Sequence, residues 1–261
     1  MGESIYYYDY RWPELEKLAE KNAIIILPVG QVEEHGPHLP VGCDTMISQE
    51  TARLIAKKVN NEFPVLVLPP IWAGYSGKGL FKWPGTISIP PEIVIATIEN
   101  IIVSLNKSDF KNFLIINSHG HHEGILRVAA RKIADTCKVT LIVSNIWRMA
   151  EEAIQEIRES ADGGANHAGE YETSLLLAMD KRVNMAEAKD EPVKQHSKYI
   201  TGDIITRYKD KVFWSTWGHS SSQTGTYGCP TKATKEKGDI IMDATVKQYL
   251  NLLREVYYSQ K

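Results

Sequence analysis

Short apolar runs alternate with segments of helical periodicity through residues 1–180 of this 261-residue chain. The runs at 23–29, 65–68, 113–116 and 140–143 are short and mostly β-branched or leucine-rich, which is typical of buried strands. Helical spacing of apolar residues follows Asp44, predicted to be an N-cap, then follows Pro91, and returns at 125–134. Strand and helix in succession predict right-handed crossovers and a mostly parallel sheet. The expected fold class is α/β, a single-domain, three-layer α/β/α sandwich.

The alternation weakens beyond residue 180, where charged and polar residues dominate as far as residue 210. The stretch 180–210 contains no repeat and no low-complexity sequence, so we predict an excursion over the surface. Helical periodicity returns at 239–258, and its apolar face is expected to pack back on the main domain. No domain boundary is visible, and 1–261 is predicted to be one domain.

Composition argues against some classes of partner and against an oxidising compartment. The formal net charge of −2 offers no basic surface for nucleic acid or for an acidic membrane, so the expected partner is a small-molecule substrate. The three cysteines are widely scattered, which argues against a disulfide framework. The first residues lack the pattern of a signal peptide, and the longest apolar runs are only strand-sized. A cytoplasmic protein is therefore expected.

Metal-ligating side chains are concentrated in two distant stretches, 33–44 and 117–123. Six of the eight histidines lie in these stretches or in 166–172. The first stretch follows the first predicted strand and the second follows the third. Because the carboxyl ends of parallel strands share one edge of a sheet, the two stretches are predicted to converge there.

The residue types favour a metal site. Glu33, His35 and Asp44 come from one loop and His119 from the other, and such a mixed carboxylate and imidazole set suits Zn²⁺, Mn²⁺ or Fe²⁺. A carboxylate able to bridge favours two divalent ions, about 3.5–4 Å apart, that activate water. The alternative is that these histidines only cap strands and form hydrogen bonds within loops.

Several longer motifs occur in a fixed order: Gly30-x-x-Glu33-x-His35-Gly36-Pro37-His38-Leu39-Pro40 with Asp44, Pro84-Gly85-Thr86, Asn117-x-His119-Gly120, His167-x-Gly169-x-x-Glu172-Thr173-Ser174 and Gly228-x-Pro230. Together they resemble the creatininase (creatinine amidohydrolase) family over residues 24–240. The resemblance implies that Glu33, Asp44 and His119 hold one metal ion. His35 and the bridging Asp44 would hold the second. It also implies a homo-oligomer, commonly a hexamer.

Two departures from the family pattern affect the site. The creatinine-cleaving enzymes have a glutamate ligand two positions after the third-loop histidine, where this chain has His121. Either His121 or Glu172 is predicted to complete the second metal site. Those enzymes also have a tryptophan just ahead of the histidine that matches His167, and this chain lacks it. Creatinine is therefore not the expected substrate.

The remaining candidates each have a structural alternative. His167 is predicted to transfer protons near the metals, with Glu172 and His121 as further catalytic candidates. The alternative for His167 is a hydrogen-bonding role. The residues predicted to contact substrate are Tyr75, Ser76, Lys78, Trp147 and His38. Lys78 would otherwise be a solvated lysine and Trp147 a core residue. The candidates to close the site are Trp214, Trp217 and His219.

The predicted function is a metal-dependent hydrolase that opens or trims a small polar molecule. The bond cleaved is either an amide-type C–N bond, as in cyclic amides and formamides, or a C–C bond beside a ketone. By resemblance, oxidised inositol (3-dehydro-scyllo-inosose) is a substrate of the second kind. The alternatives are a non-catalytic metal-bound binding protein and a peptide-processing member of the same family.

Overall fold

The computed structural model describes residues 4–194, 197–214 and 222–259. Its sheet has four parallel strands in the order β2-β1-β3-β4. The strands are β1 (Ile24–Val29), β2 (Val65–Val67), β3 (Asn112–Asn117) and β4 (Thr140–Asn145). Each predicted apolar run therefore forms a strand, and the ends differ from those predicted by at most two residues. The predicted parallel α/β architecture is confirmed.

Helices cover both faces of the sheet. Their bounds are α1 (Trp12–Glu20), α2 (Cys43–Val59), α3 (Pro91–Asn106), α4 (His122–Thr136), α5 (Ile146–Met149), α6 (Glu151–Ile157), α7 (Glu170–Ala178) and α8 (Lys235–Tyr258). Side chains alternate along β1, so that Ile24 and Ile26 pack against α2 and α8 while Ile25 and Leu27 pack against α1, α3 and α4. This alternation produces two hydrophobic cores, one on each side of the sheet.

The chain changes direction across the sheet at β1. The connection through α2 leads from β1 to β2 on one side, and α3 then carries the chain back past β1 to β3 on the other face. In an open parallel sheet, a crevice forms beyond the carboxyl ends of strands at such a switch point. The loops that follow β1 and β3 therefore border the same crevice.

Two helix ends differ from the predictions. The N-cap of α2 is Gly42 and Asp44 lies in the first turn, so the prediction of Asp44 as N-cap is wrong. The Asp44 carboxylate faces histidine rings instead, as described below. Helix α8 begins at Lys235 rather than at residue 239, because Thr234 caps it by accepting a hydrogen bond from the Lys237 N–H at 3.2 Å.

The stretch 180–210 is only partly a surface excursion. Most side chains in 181–192 are exposed or half-buried, as predicted, but residues 202–206 are buried. The buried members include Asp203 at 2 % exposure and Ile205 at 0 %. The prediction is wrong there because hydrogen bonds to the Asp203 carboxylate hold this polar segment against the main domain.

No helix within the described residues is long and apolar enough to cross a membrane.

Candidate metal centre

Asp44 lies between two histidine rings at the carboxyl edge of the sheet. Its Oδ2 lies 2.9 Å from His119 Nδ1, and its Oδ1 lies 3.3 Å from His35 Nε2. All three side chains are almost completely buried, at 5 % exposure or less. The two oxygens of one carboxylate thus face imidazoles that come from the two loops predicted to converge.

Backbone carbonyls fix the orientation of both histidine rings. His35 Nδ1 lies 3.0 Å from the carbonyl oxygen of Glu33, and His119 Nε2 lies 3.0 Å from that of Tyr75. A carbonyl only accepts, so each of these nitrogens carries its hydrogen and donates. The opposite nitrogen of each ring therefore faces Asp44, and its lone pair is available to a metal ion once that nitrogen is deprotonated. Metal-ligating histidines are commonly oriented in this way.

Glu33 extends the cluster towards His167. Its Oε1 lies 3.4 Å from His119 Nδ1 and 3.2 Å from His167 Nδ1. Its Oε2 accepts a hydrogen bond of 2.6 Å from the Ser76 hydroxyl. Ser76 therefore holds one oxygen of Glu33 and leaves the other facing the imidazoles.

The two candidates for the last ligand lie in different parts of the cluster. Glu172 Oε2 lies 3.7 Å from His35 Nε2 and accepts the Ala168 N–H at 2.7 Å. His121 instead groups with Glu33 and His119, with ligand atoms of all three within 4.8 Å of one another. The structure thus brings Glu172 to the His35 side of Asp44 and His121 to the His119 side.

The side chains change one another's pKa values. Burial alone would raise the pKa of Glu33, but His119 and His167 hold it well below its usual range. Burial alone would lower the pKa of His119, but Glu33 and Asp44 raise it above its usual value. Burial raises the pKa of Glu172. The ionised carboxylates of Glu33 and Asp44 therefore stabilise positive charge beside them, either on the histidine rings or on a bound cation.

His121 differs from the other histidines of the cluster because it is exposed at the edge of the crevice. Desolvation by the surrounding protein and repulsion from His119 nevertheless lower its pKa to about 4. A neutral imidazole at neutral pH retains the lone pair that a metal ion or a proton requires.

The residues present fit a divalent metal. Glu33 Oε1, His35 Nε2 and Asp44 Oδ2 are buried and have no hydrogen-bond partner among the described residues. Buried polar atoms without partners are costly, and bound cations would satisfy them. Carboxylate and imidazole ligands suit Zn²⁺, Mn²⁺ and Fe²⁺.

His167 is held between two carboxylates at the edge of the cluster. Its Nδ1 faces Glu33 and its Nε2 lies 3.6 Å from Glu34 Oε1. Burial and His35 oppose its protonation, but Glu33 and Glu34 raise its pKa to about 10. The ring is 18 % exposed, so it can be reached from the crevice.

Glu34 is a site residue that sequence reasoning missed. Its Oε2 accepts the Gly36 N–H at 2.9 Å, and a Cβ on Gly225 would lie only 2.1 Å from that oxygen. The glycine therefore leaves room for the Glu34 carboxylate beside His167. The adjacent Glu33 and Glu34 could be told apart only by the direction in which the loop points each of them.

His122 is another residue that the sequence placed in the cluster without assigning it a role. It is the first residue of α4, and its Nε2 accepts the Tyr75 N–H at 3.0 Å. A Cβ on Gly74 would lie 2.1 Å from this nitrogen, so only glycine permits the approach. His122 therefore positions the Tyr75 carbonyl that orients His119.

The five predicted substrate contacts differ in burial. Trp147 is 1 % exposed in the hydrophobic core, and His38 is 2 % exposed with its Nε2 3.0 Å from the Thr173 hydroxyl. Both rings are buried, and their contact with substrate stays a prediction. Trp147 lies in the hydrophobic core, which was the structural alternative for this residue.

Tyr75, Ser76 and Lys78 lie in the loop beside the cluster. Tyr75 is half-buried and stacks edge-on with the His121 ring at 6.1 Å, whereas Ser76 is buried against Glu33. Lys78 is exposed at the start of a short 3₁₀ helix, Lys78–Lys82. These three remain predicted contacts with substrate.

Of the residues predicted to close the site, Trp214 is 45 % exposed, and Trp217 and His219 lie outside the described residues.

Sequence comparison identifies the family. The sequence model of the Creatininase family (creatinine amidohydrolase) matches residues 8–253. The chain is 24% identical to creatinine amidohydrolase from Pseudomonas putida, over 98% of this chain and 99% of the relative. It is 30% identical to 3-dehydro-scyllo-inosose hydrolase from Thermotoga maritima, over 67% of this chain and 56% of the relative. It is 27% identical to a mycofactocin precursor peptide peptidase from Mycobacterium tuberculosis, over 88% of this chain and 84% of the relative.

Solved structures agree with the fold. A crystal structure of creatininase superposes with a TM-score of 0.80 and 23% identity, covering 98% of this chain and 99% of the other. A creatininase described as the Mn form and another described as Zn-Zn type also superpose with a TM-score of 0.80. The chain belongs to the creatininase family and is a hydrolase of that family.

Proposed function

We propose that this protein is a hydrolase that depends on two divalent metal ions and cleaves a small polar substrate. The observation that carries the proposal is the position of Asp44 between His35 and His119, with the far nitrogen of each ring already bonded to a carbonyl. A single carboxylate that faces two oriented imidazole nitrogens in this way is suited to bridge two cations.

The ligand sets follow from the same geometry. Asp44 would join Glu33 and His119 at one position, with His121 beside them. It would join His35 and Glu172 at the other. Zn²⁺, Mn²⁺ or Fe²⁺ bound there would supply a water of lowered pKa and would polarise a substrate carbonyl.

His167 is suited to handle the leaving group's proton. Glu33 and Glu34 raise its pKa to about 10, which favours a ring that holds a proton to donate. Its partial exposure allows a substrate in the crevice to approach the ring. Glu34 Oε1 lies 3.6 Å from the nitrogen that faces away from Glu33, so the carboxylate forms an ion pair with the protonated ring without a hydrogen bond.

The loop ahead of His167 argues against creatinine as the substrate. Creatinine-cleaving members have a tryptophan there, but this loop contains two glycines in close contact with their surroundings. A Cβ on Gly163 would lie 2.0 Å from the Val193 carbonyl oxygen, and one on Gly164 would lie 2.4 Å from Ser160 Cβ. The loop therefore has no room for a large side chain at either position.

Three substrates distinguish the candidate reactions: creatinine, a formamidopyrimidine and an oxidised inositol, compared at matched concentration with Zn²⁺ or Mn²⁺ supplied. We expect turnover of one of the last two and little or none of creatinine. His167→Ala should then reduce turnover by about 10²–10⁴-fold while metal content is unchanged. Fastest turnover of creatinine, or full activity of His167→Ala, would contradict the proposal.

A further inference from the structure

Residues 200–206 form a rigid segment despite their polar sequence. The Asp203 carboxylate accepts hydrogen bonds from the Gly163 N–H at 2.7 Å and the Ile205 N–H at 2.9 Å. It also pairs with Arg158 at 2.8 Å. Buried carboxylates with several donors are strongly held, so the backbone that precedes residue 207 is fixed.

The same segment contacts two of the three loops that contribute histidines to the cluster. Asn166, which precedes His167, accepts the Ile204 N–H at 2.6 Å and donates to the Gly202 carbonyl at 2.7 Å. The Ile204 side chain approaches Gly120, the residue after His119, where a Cβ would lie 3.6 Å from Ile204 Cδ1. Residues 202–206 therefore lie beside the crevice.

Arg207 extends from this anchored segment towards the same crevice. Its Nη1 would lie 4.0 Å from a Cβ on Gly120, and its side chain is 35% exposed. Its nearest carboxylate is that of Glu123, at 3.9 Å, which is longer than a hydrogen bond. Glu123 is already hydrogen-bonded at 2.9 Å to Arg127.

The guanidinium of Arg207 is incompletely satisfied. It has five N–H donors but makes no side-chain hydrogen bond to any residue of the described ranges. Arg148, by comparison, donates to the Ile205 carbonyl at 3.2 Å and pairs with Glu151 at 3.4 Å. Desolvation by the surrounding protein lowers the pKa of Arg207, although the side chain is 35% exposed.

We propose that Arg207 binds an anionic group of the substrate, a carboxylate or a phosphate, while the bond to be cleaved lies over the Glu33, Asp44 and His119 cluster. The inference rests on the proposed metal-dependent function and adds a substrate class to it. A planar guanidinium with free donors matches the paired oxygens of either anion. The anchored backbone lowers the entropic cost of holding the arginine in place.

Metal-binding probes of different charge test the proposal without a known substrate. The probes are acetohydroxamate, the monohydroxamate of succinate and its phosphonate analogue, which share one metal-chelating group. Calorimetry on the metal-loaded protein should give tighter binding of at least one charged probe, by about tenfold or more. The carboxylate and phosphonate arms show which anion is preferred.

Arg207→Gln should abolish this preference and leave the affinity for acetohydroxamate unchanged. Arg207→Lys should retain part of it, because the charge remains without the planar pair of donors. Arg127→Gln is the matched control, since Arg127 also pairs with Glu123 but is 74% exposed. That control should behave like the unmodified protein.

The outcomes separate the two proposals. Binding of acetohydroxamate without any preference for a charged probe would overturn the role of Arg207 and leave the metal site intact. An unchanged preference in Arg207→Gln would overturn it as well. If no hydroxamate binds the metal-loaded protein, the proposed function fails and the role of Arg207 fails with it.

Discussion

At the scale of single residues, Asp44 has an unusual position for an acid in the first turn of a helix. Such residues normally stabilise the helix by facing its N-terminal N–H groups. Here the carboxylate faces His35 and His119 instead. Asp44 contacts the histidines of the cluster and does not cap the helix. The predicted capping role is therefore wrong, and the ligand role stays a prediction.

Glu172 and His121 can be separated by their effects on metal binding. Because Glu172 lies beside His35, we expect Glu172→Ala to lose one of two ions. His121→Ala should weaken the site at Glu33 and His119 by roughly 10–100-fold yet retain both ions at saturating metal. Titration with Zn²⁺ after chelation measures both effects. Two ions of unchanged affinity in Glu172→Ala would show that this residue is not a ligand.

Residues whose roles depend on direction could not be predicted from the sequence. Glu33 and Glu34 are adjacent and chemically alike, yet one faces His119 and the other faces only His167. Trp147 resembled a pocket residue equally well until its burial was known. A pattern gives the residue type and the loop, but the backbone path decides which side chain points into the crevice.

At the scale of elements, the strands were predictable because each is short and mostly apolar, and because β1, β2 and β3 are buried on both faces. β1 and β3 follow this pattern along their whole length, and the functional loops follow them directly. The buried segment 202–206 was not predictable, because its burial depends on hydrogen bonds to Asp203 from residues 40 positions away. Hydrophobic periodicity carries no information about such contacts.

The packing of α7 on α8 includes a buried ion pair that we expect to stabilise the fold. Glu170 accepts from Lys237 Nζ at 2.6 Å and from the Ser160 N–H at 2.9 Å. Burial alone would raise its pKa, but these hydrogen bonds lower the pKa below its usual value. Glu170→Gln should reduce the free energy of unfolding at pH 7 by about 1.5–3 kcal/mol.

The sign of the pH dependence follows from the lowered pKa of Glu170. Its contribution is fully present above the ordinary glutamate pKa of about 4.3 and is lost as the pH falls through the folded-state value. Urea unfolding of both proteins should therefore give a difference that shrinks below about pH 4. Glu99→Gln breaks a surface pair with Lys132 and should cost less than about 1 kcal/mol. An equal loss in both variants would contradict this explanation.

At the scale of the whole molecule, large apolar side chains are exposed along one connection, which runs from β2 into the first turn of α3. Those on residues 72–93 are Trp72, Phe81, Ile87 and Ile93, each at least 46% exposed. A group of exposed apolar side chains is typical of a protein interface. It supports the proposal of a homo-oligomer.

A charge introduced into this connection should therefore reduce the oligomeric state. We expect Phe81→Glu with Ile93→Glu to give a smaller species than the unmodified protein in size-exclusion chromatography with light scattering. Val128→Glu is the control, because Val128 on α4 is as exposed as Ile93, at 51%, and lies outside the connection. A monomeric unmodified protein would contradict the proposal.

The central claim is that Asp44 bridges two metal ions, and the metal content of purified protein tests it most directly. After dialysis with Zn²⁺ or Mn²⁺, elemental analysis should return about two ions per chain. Asp44→Ala should bind neither, His35→Ala should retain one, and Asp243→Ala, which removes an exposed carboxylate, should retain both. Asp44→Ala that loses a single ion and holds the other with unchanged affinity would show that Asp44 does not bridge.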